Sequence, residues 1–177
     1  MGAMITIVMG VSGSGKSTIG EGLATRLGQH FIDGDSLHPP ANREKMAHGI
    51  PLDDADRQPW LEAIVAEMDR HRERGESLVL ACSALKQRYR DFLRGGHDDV
   101  RFVYLHASRD LLAERLGHRS GHFFDPHLLD SQLATLEEPS PDEAQRVDVG
   151  LAPAEAIECI IRADCPQGTA ATNAPGV

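Results

Sequence analysis

"MITIVMGVSGSGKST", Met4 to Thr18, governs how the rest of the chain is read. The stretch "ITIVM" is a continuous apolar run ending at Gly10, the pattern of a strand buried on both faces of a sheet. Gly10 to Ser17 then satisfies G-x-x-x-x-G-K-[ST]. Beyond it, Ile19, Leu23 and Leu27 recur every fourth residue before Gly28, which predicts an amphipathic helix with a glycine stop. Strand, glycine loop and helix in that order are the setting of a phosphate-binding loop. Gly10, Gly13 and Gly15 let the backbone turn its N–H groups inward around phosphate oxygens, and Lys16 offers a compact positive charge to the outer phosphates. Ser17 reads as a ligand for Mg²⁺, and the helix N-terminus with Thr18 adds donors for the inner phosphate. The alternative is a glycine-rich turn that binds nothing; motif and context together favour a nucleoside triphosphate.

Composition limits what surrounds that loop. The chain has 177 residues, enough for one domain with a sizeable core. Its 27 acidic against 18 basic residues give a formal charge of −9, which disfavours a general polyanion-binding surface and so nucleic acid as a partner. Cys82, Cys159 and Cys165 are odd in number and form no C-x-x-C pair, so neither a disulfide framework nor a cysteine zinc site is expected, and a reducing cytoplasm is the default location. No apolar stretch approaches the roughly 18 residues of a membrane span. Met4 reads as a natural start behind a short remnant.

Further along, "HFIDGD", "SLVLAC", "VRFVYLHAS" and "RVDVG" read as strands separated by helical patterns. "DDADRQPWLEAIVAEMDRHRERG" carries acidic capping residues ahead of Trp60, Ile64 and Met68 on one face, Ser108 caps "RDLLAERLGHR", and Leu129, Leu133 and Leu136 share a helix side. The expected fold is therefore α/β of the P-loop NTPase type, a five-stranded parallel sheet with helices on both faces and a small mobile lid. A single domain is expected over residues 4–165, with the lid at about 116–127 and a loose tail at 166–177.

The loop serves GTPases, motor ATPases and small-molecule kinases alike. A GTPase needs Asp-x-x-Gly and [Asn/Thr]-Lys-x-Asp segments, which the chain lacks, and motor ATPases are usually longer; a kinase for a small acceptor fits best. "DGD" places Asp33 and Asp35 two apart at a strand end, on the same side of an extended segment. One carboxylate is suited to ordering the metal, the other to orienting or deprotonating the attacking hydroxyl. A polar turn with Asx-type hydrogen bonds is the competing reading. Arg57, and Lys86 with Arg90 one turn apart, are candidates for an anionic substrate, although any one of them taken alone reads as a solvated helix charge. Arg115 and Arg119 enter "GHRSGHFFDP", a segment able to close over the phosphates or simply an exposed helix end. His118, His122 and His127 lack a recognised ligand pattern, which leaves His122 as a hydrogen-bond donor in the closing segment. Cys82 and Trp60 read as core.

Taken together, "GVSGSGKST", "DGDSLHPPANREKMAHGIPLDDADRQPWL", "CSALKQRYRDFLR", "FVYLHAS" and "RSGHFFDPHLLDSQLATLEEP" closely resemble the gluconokinase family, ATP-dependent kinases of the shikimate- and adenylate-kinase-like P-loop group. The resemblance runs from about Ile5 to Ala163, and the second block is its most specific part. It implies transfer of the ATP terminal phosphate to the primary hydroxyl of D-gluconate, with ATP and Mg²⁺ as cofactors. Carried over by motif, Gly10, Val11, Ser12, Gly13, Ser14, Gly15, Lys16, Ser17 and Thr18 hold ATP and Mg²⁺, Asp33 helps order the metal, and Asp35 contacts the acceptor as base. Arg57 is implied to contact substrate, with His38, Lys86 and Arg90 lining the same pocket. Arg115 and Arg119 match the lid over the nucleotide, and His122 the lid on the substrate side. A homodimer is common in the family. Another acceptor on the same scaffold (shikimate, a nucleotide, another sugar acid) and a nucleotide-binding regulator without transfer remain as alternatives.

Overall fold

In the computed structural model, which describes residues 2–117 and 126–162, β1 (Ile5–Met9) is buried at every position. It lies at the centre of a five-stranded sheet ordered β2-β3-β1-β4-β5, with β2 (His30–Asp33), β3 (Leu78–Ala81), β4 (Val100–His106) and β5 (Ala144–Asp148) all parallel to it or to one another. Ile5 is in register with Leu78 on one side and Val100 on the other.

Because successive strand side chains alternate faces, β1 feeds two cores. Ile5, Ile7 and Met9 join Leu78 and Leu80 against Trp60, Leu61, Ile64 and Met68 of α3 (Asp54–Arg74) and Tyr89 and Leu93 of α4 (Gln87–Arg94). Val8, with Val79, Val103 and Val147, packs on Ile19 and Leu23 of α1 (Lys16–Leu27) and on Ile157 and Ile160 of α7 (Pro153–Arg162). Each fully buried Leu, Ile or Met contributes about 1.5–3 kcal/mol relative to exposure, so the two layers fix the helices to the sheet. A smaller cluster of Val11, Leu85, Leu112, Leu116 and Leu129 sits under the glycine loop and ties α5 (Arg109–Gly117) and α6 (Pro126–Thr135) to it.

The local stops and starts follow the sequence chemistry. Gly28 closes α1 in the left-handed region at φ 64, and Ser108 Oγ accepts from Leu111 N–H (3.2 Å) at the start of α5. Asp53 and Asp56 form a reciprocal capping box at the start of α3. The chain leaves β1 for β2 and returns to β3 on one side, then crosses past β1 to β4 and β5 on the other. The switch point therefore falls beside β1, and the crevice at its carboxyl end is the loop Gly10 to Gly15.

One local expectation fails. The "DGD" segment is not extended through Asp35: β2 ends at Asp33, and Gly34–Leu37 form a 3₁₀ turn capped by Asp33 Oδ1, which accepts from Asp35 N–H at 3.0 Å. The chain turns there because Gly34 lies against β3; a Cβ on it would stand 2.5 Å from the Ala81 carbonyl oxygen. The centre of the expected lid, with His118, Arg119 and His122, and the expected tail lie outside the described residues. Among the described residues no helix is long and apolar enough to cross a membrane.

Candidate active site

The glycine loop is braced from within. Ser14 donates through N–H (3.2 Å) and Oγ (2.7 Å) to the Val11 carbonyl, and Lys16 Nζ lies 3.1 Å from the same oxygen, so the lysine stem folds across the loop. Gly13 has φ +85, and a Cβ on it would lie 2.9 Å from Leu116 Cγ, so this position needs glycine for its backbone and for its packing. Gly15, at φ 91, caps α1 without a side chain and leaves the helix N-terminus open toward the loop.

The end of β2 meets the start of α1. Ser17 Oγ donates to Asp33 Oδ2 at 2.9 Å, while the other Asp33 oxygen caps the 3₁₀ turn that carries Asp35. A hydroxyl and a carboxylate in contact at a helix N-terminus form a hard-oxygen pair of the type Mg²⁺ takes. Asp35 is an exposed residue where it lines the cavity, and the protein around its carboxyl removes part of its hydration. That desolvation raises its pKa above the ordinary carboxylate value, with Asp33 adding to the rise and Lys16 opposing it.

Lys16, Asp35, His38 and Arg57 line one cavity of ≈ 240 Å³. Ser12, Ser83, Ser131, Gln132 and Thr135 add polar groups, and Met46, Ile50, Leu52 and Leu85 form its apolar wall. Trp60 is its floor. The indole is buried, donates from Nε1 to the Gly34 carbonyl at 2.8 Å and stacks on the His38 ring (centroids 4.3 Å apart, planes at 11°). Arg57 reaches the cavity from the first turns of α3 and is steadied by an Nη1 bond to Tyr89 Oη at 3.1 Å. On the outer side of the loop, Gly13, Ser14, Gly15 and Thr18 with Arg115, Val149 and Pro153 line a second cavity of ≈ 220 Å³, where Arg115 also donates to the Val149 carbonyl. One cavity combines a carboxylate with two cations, and the other joins the helix N-terminus to an arginine. The first is suited to a polar, anionic small molecule and the second to an anion such as phosphate.

A family model of shikimate kinase matches residues 12–154. A gluconokinase of Gluconobacter oxydans (strain 621H) is 55% identical over 137 residues, 77% of this chain and 77% of that protein. The thermoresistant gluconokinase of Escherichia coli (strain K12) is 46% identical over 139 residues, 78% and 79% of the two chains. The crystal structure of a gluconokinase from Sinorhizobium meliloti 1021 superposes with a TM-score of 0.80 at 47% identity, covering 92% of this chain and 93% of that one. The chain belongs to the gluconokinase family. It is a P-loop carbohydrate kinase of the shikimate kinase type, and membership implies ATP as phosphoryl donor.

Within that family frame, two residues assigned to the substrate pocket require correction. Arg90 does not line the cavity: its side chain is 1% exposed and fully engaged, with Nε on Glu143 Oε1 at 2.6 Å, Nη1 on the Ala84 carbonyl at 2.8 Å and Nη2 on the Glu137 carbonyl at 2.8 Å. It ties α4 to the turn that leads into β5, because a buried guanidinium needs its donors satisfied. Lys86 does not line the cavity either; its Nζ lies 3.0 Å from Asp54 Oδ1, in a cluster where Tyr89 and Arg88 also bond that carboxylate. These three donors hold the Asp54 pKa well below the usual range. Arg119 and His122 lie outside the described residues.

Gln132 is the residue the sequence reading missed. Its Oε1 accepts from Ser12 N–H at 2.8 Å and its Nε2 donates to Ser12 Oγ at 2.9 Å, joining α6 to the phosphate loop across 120 residues. A signal existed: Gln132 interrupts the stripe of Leu129, Leu133 and Leu136 with a polar group. Cys82 is buried as expected, and burial pushes its thiol up to about 12.

Proposed function

We propose that the chain transfers the terminal phosphoryl group of ATP to the 6-hydroxyl of D-gluconate, giving 6-phospho-D-gluconate and ADP. The observation that carries this reading is that Lys16, Asp35 and Arg57 line one cavity beside the phosphate loop. The gluconokinase relatives supply the acceptor. Asp35, with its raised pKa, is the base that takes the hydroxyl proton as the oxygen attacks phosphorus. Lys16 and the loop N–H groups hold the negative charge on the transferred group. Arg57 pairs with the sugar-acid carboxylate, for which its planar fork is suited. The wall of Met46, Ile50 and Leu52 limits water as a competing acceptor.

Ser17 and Asp33 are the residues that would hold Mg²⁺, which when bound neutralises charge on the phosphates. The cavity with Arg115 on the outer side of the loop takes the nucleoside end of ATP. The family resemblance supports a cytoplasmic homodimer.

The test is ADP release measured by a coupled assay with D-gluconate, shikimate, nucleoside monophosphates and other sugar acids. The expected result is the highest kcat/KM with D-gluconate. A higher value with any other acceptor overturns the assignment, and ATP binding without turnover of any acceptor points to a regulator.

A further inference from the structure

His38 enters the cavity with one ring nitrogen already committed. Its Nδ1 lies 3.2 Å from Asn42 Nδ2, four residues on at the start of α2 (Pro40–Ala47). The same Asn42 nitrogen lies 2.7 Å from the Asp56 carbonyl oxygen. That second contact fixes the amide's orientation. A carbonyl oxygen only accepts, so the amide atom facing it must be the NH₂; the flipped amide would set two oxygens against each other. Once the NH₂ is placed there, its other hydrogen faces His38 Nδ1, and that nitrogen must accept. An accepting Nδ1 on a neutral imidazole leaves the proton on Nε2.

The destination of that proton follows from the burial pattern. Among the described residues, Gln29 Oε1 is the buried side-chain polar atom left without a partner, and His38 Nε2 has no hydrogen-bond partner among them. Nε2 is therefore within reach of solvent. His38 is 7% exposed and lines the cavity of Lys16, Asp35 and Arg57, so the cavity is the space Nε2 reaches.

We infer that Asn42 is a positioning residue that locks His38 in the Nε2–H tautomer, so that His38 presents a neutral N–H donor to an oxygen of the acceptor substrate. This inference rests on the proposed sugar-acid kinase activity and adds to it a specificity determinant. A neutral donor reads a hydroxyl or carboxylate oxygen without bringing a further positive charge to the Asp35 carboxylate. The surroundings keep the ring neutral: burial, chiefly, and the nearby Arg43 and Arg57 guanidiniums lower the His38 pKa to about 4. Stacking on Trp60 holds the ring plane, and the Lys45 Nζ bonds to both Asp56 carboxylate oxygens (2.9 and 3.0 Å) hold α2 against α3, keeping Asn42 and the Asp56 carbonyl in place.

The experiment has two arms on the full chain. In the first, a long-range ¹H–¹⁵N NMR spectrum of the ligand-free wild type at neutral pH reads the tautomer directly, with Asn42→Ala used to assign the His38 signals. The expected spectrum shows an unprotonated Nδ1 and a protonated Nε2. An Nδ1–H ring, or an imidazolium, overturns the inference with no reference to substrate. In the second arm, Asn42→Ala is expected to raise KM for D-gluconate about tenfold, the equivalent of about 1.4 kcal/mol, while KM for ATP stays near wild type and the melting temperature falls with the lost bond to the Asp56 carbonyl. His38→Gln, which carries an NH₂ near the ε position, should retain more gluconate affinity than His38→Asn, which carries it near the δ position. Equal losses in these two variants, or an unchanged KM in Asn42→Ala, overturn the substrate contact. A wild type inactive on gluconate sinks the acceptor assignment instead, and the spectrum still decides the tautomer.

Discussion

Arg57 and Arg90 are both cations set near the proposed substrate pocket, one at the start of α3 and the other in α4, yet the fold uses them in opposite ways. Arg57 spends one nitrogen on the Tyr89 hydroxyl and lines the acceptor cavity. Arg90 is buried and bonded through Nε, Nη1 and Nη2 to Glu143 and to the Ala84, Leu85 and Glu137 carbonyls. A charge available to a ligand keeps unfilled donors in a reachable space; a charge that serves the fold has each donor matched inside it. The same contrast separates Asp35, open to the cavity, from Asp54, which is held by Lys86, Arg88 and Tyr89.

The largest effects should come from the groups on the cavity side. Asp35→Asn is expected to lower kcat by roughly 10²–10⁴-fold, the range of a lost general base. Lys16→Ala should lower it by roughly 10²–10³-fold, as loss of one charge-stabilising donor does. Asp35 also gives a check of opposite sign. Its folded pKa lies above the ordinary value, so the stability it contributes is present at low pH and is lost as pH rises through the folded pKa. At neutral pH the ionised carboxylate is a cost that asparagine removes. Asp35→Asn should therefore melt no lower than wild type, and kcat/KM of the wild type should fall in acid through a pKa above the usual carboxylate range. A variant both inactive and strongly destabilised would move Asp35 to the structural side of the contrast.

Arg90→Met tests that side itself. It leaves Glu143 and the Ala84 and Glu137 carbonyls without their donor, and the expected loss is about 3–5 kcal/mol of folding stability, read by urea denaturation. The folded fraction should keep its KM for gluconate. A selective rise in that KM at unchanged stability would restore Arg90 to the pocket.

What could be read in the sequence depended on how far each geometry reaches along the chain. The loop from Gly10 to Thr18 was legible because a contiguous backbone sets it, and the five strands because apolar runs and glycine stops record them locally. The Ser17–Asp33 contact was implied once a strand end was placed beside the loop. The path through Asp35 was misread because the Asp33 side chain caps a turn, a choice that alternation alone does not reveal. Arg90 was misread for a different reason. Its partners Glu137 and Glu143 lie about fifty residues further on, and no periodicity records which charge meets which. Trp60 was legible as core, but not as the ring beneath His38.

Arg57→Ala and Lys86→Ala make the finest cut, because both side chains lie near Tyr89 and only one lines the cavity. Loss of a charged hydrogen bond to the substrate carboxylate predicts a KM for gluconate raised roughly 10- to 100-fold in Arg57→Ala. Lys86 is paired with an Asp54 carboxylate that is 44% exposed, and a pair so open to water is worth little, so Lys86→Ala should change KM by about twofold at most. Salt separates the two cases further. Screening should weaken gluconate binding in wild type and in Lys86→Ala alike, because Arg57 remains in both, and less so in Arg57→Ala. If Lys86→Ala instead matched Arg57→Ala in both KM and salt response, Asp54 would be holding a substrate cation in reserve, and Lys86 would belong with Arg57 rather than with Arg90.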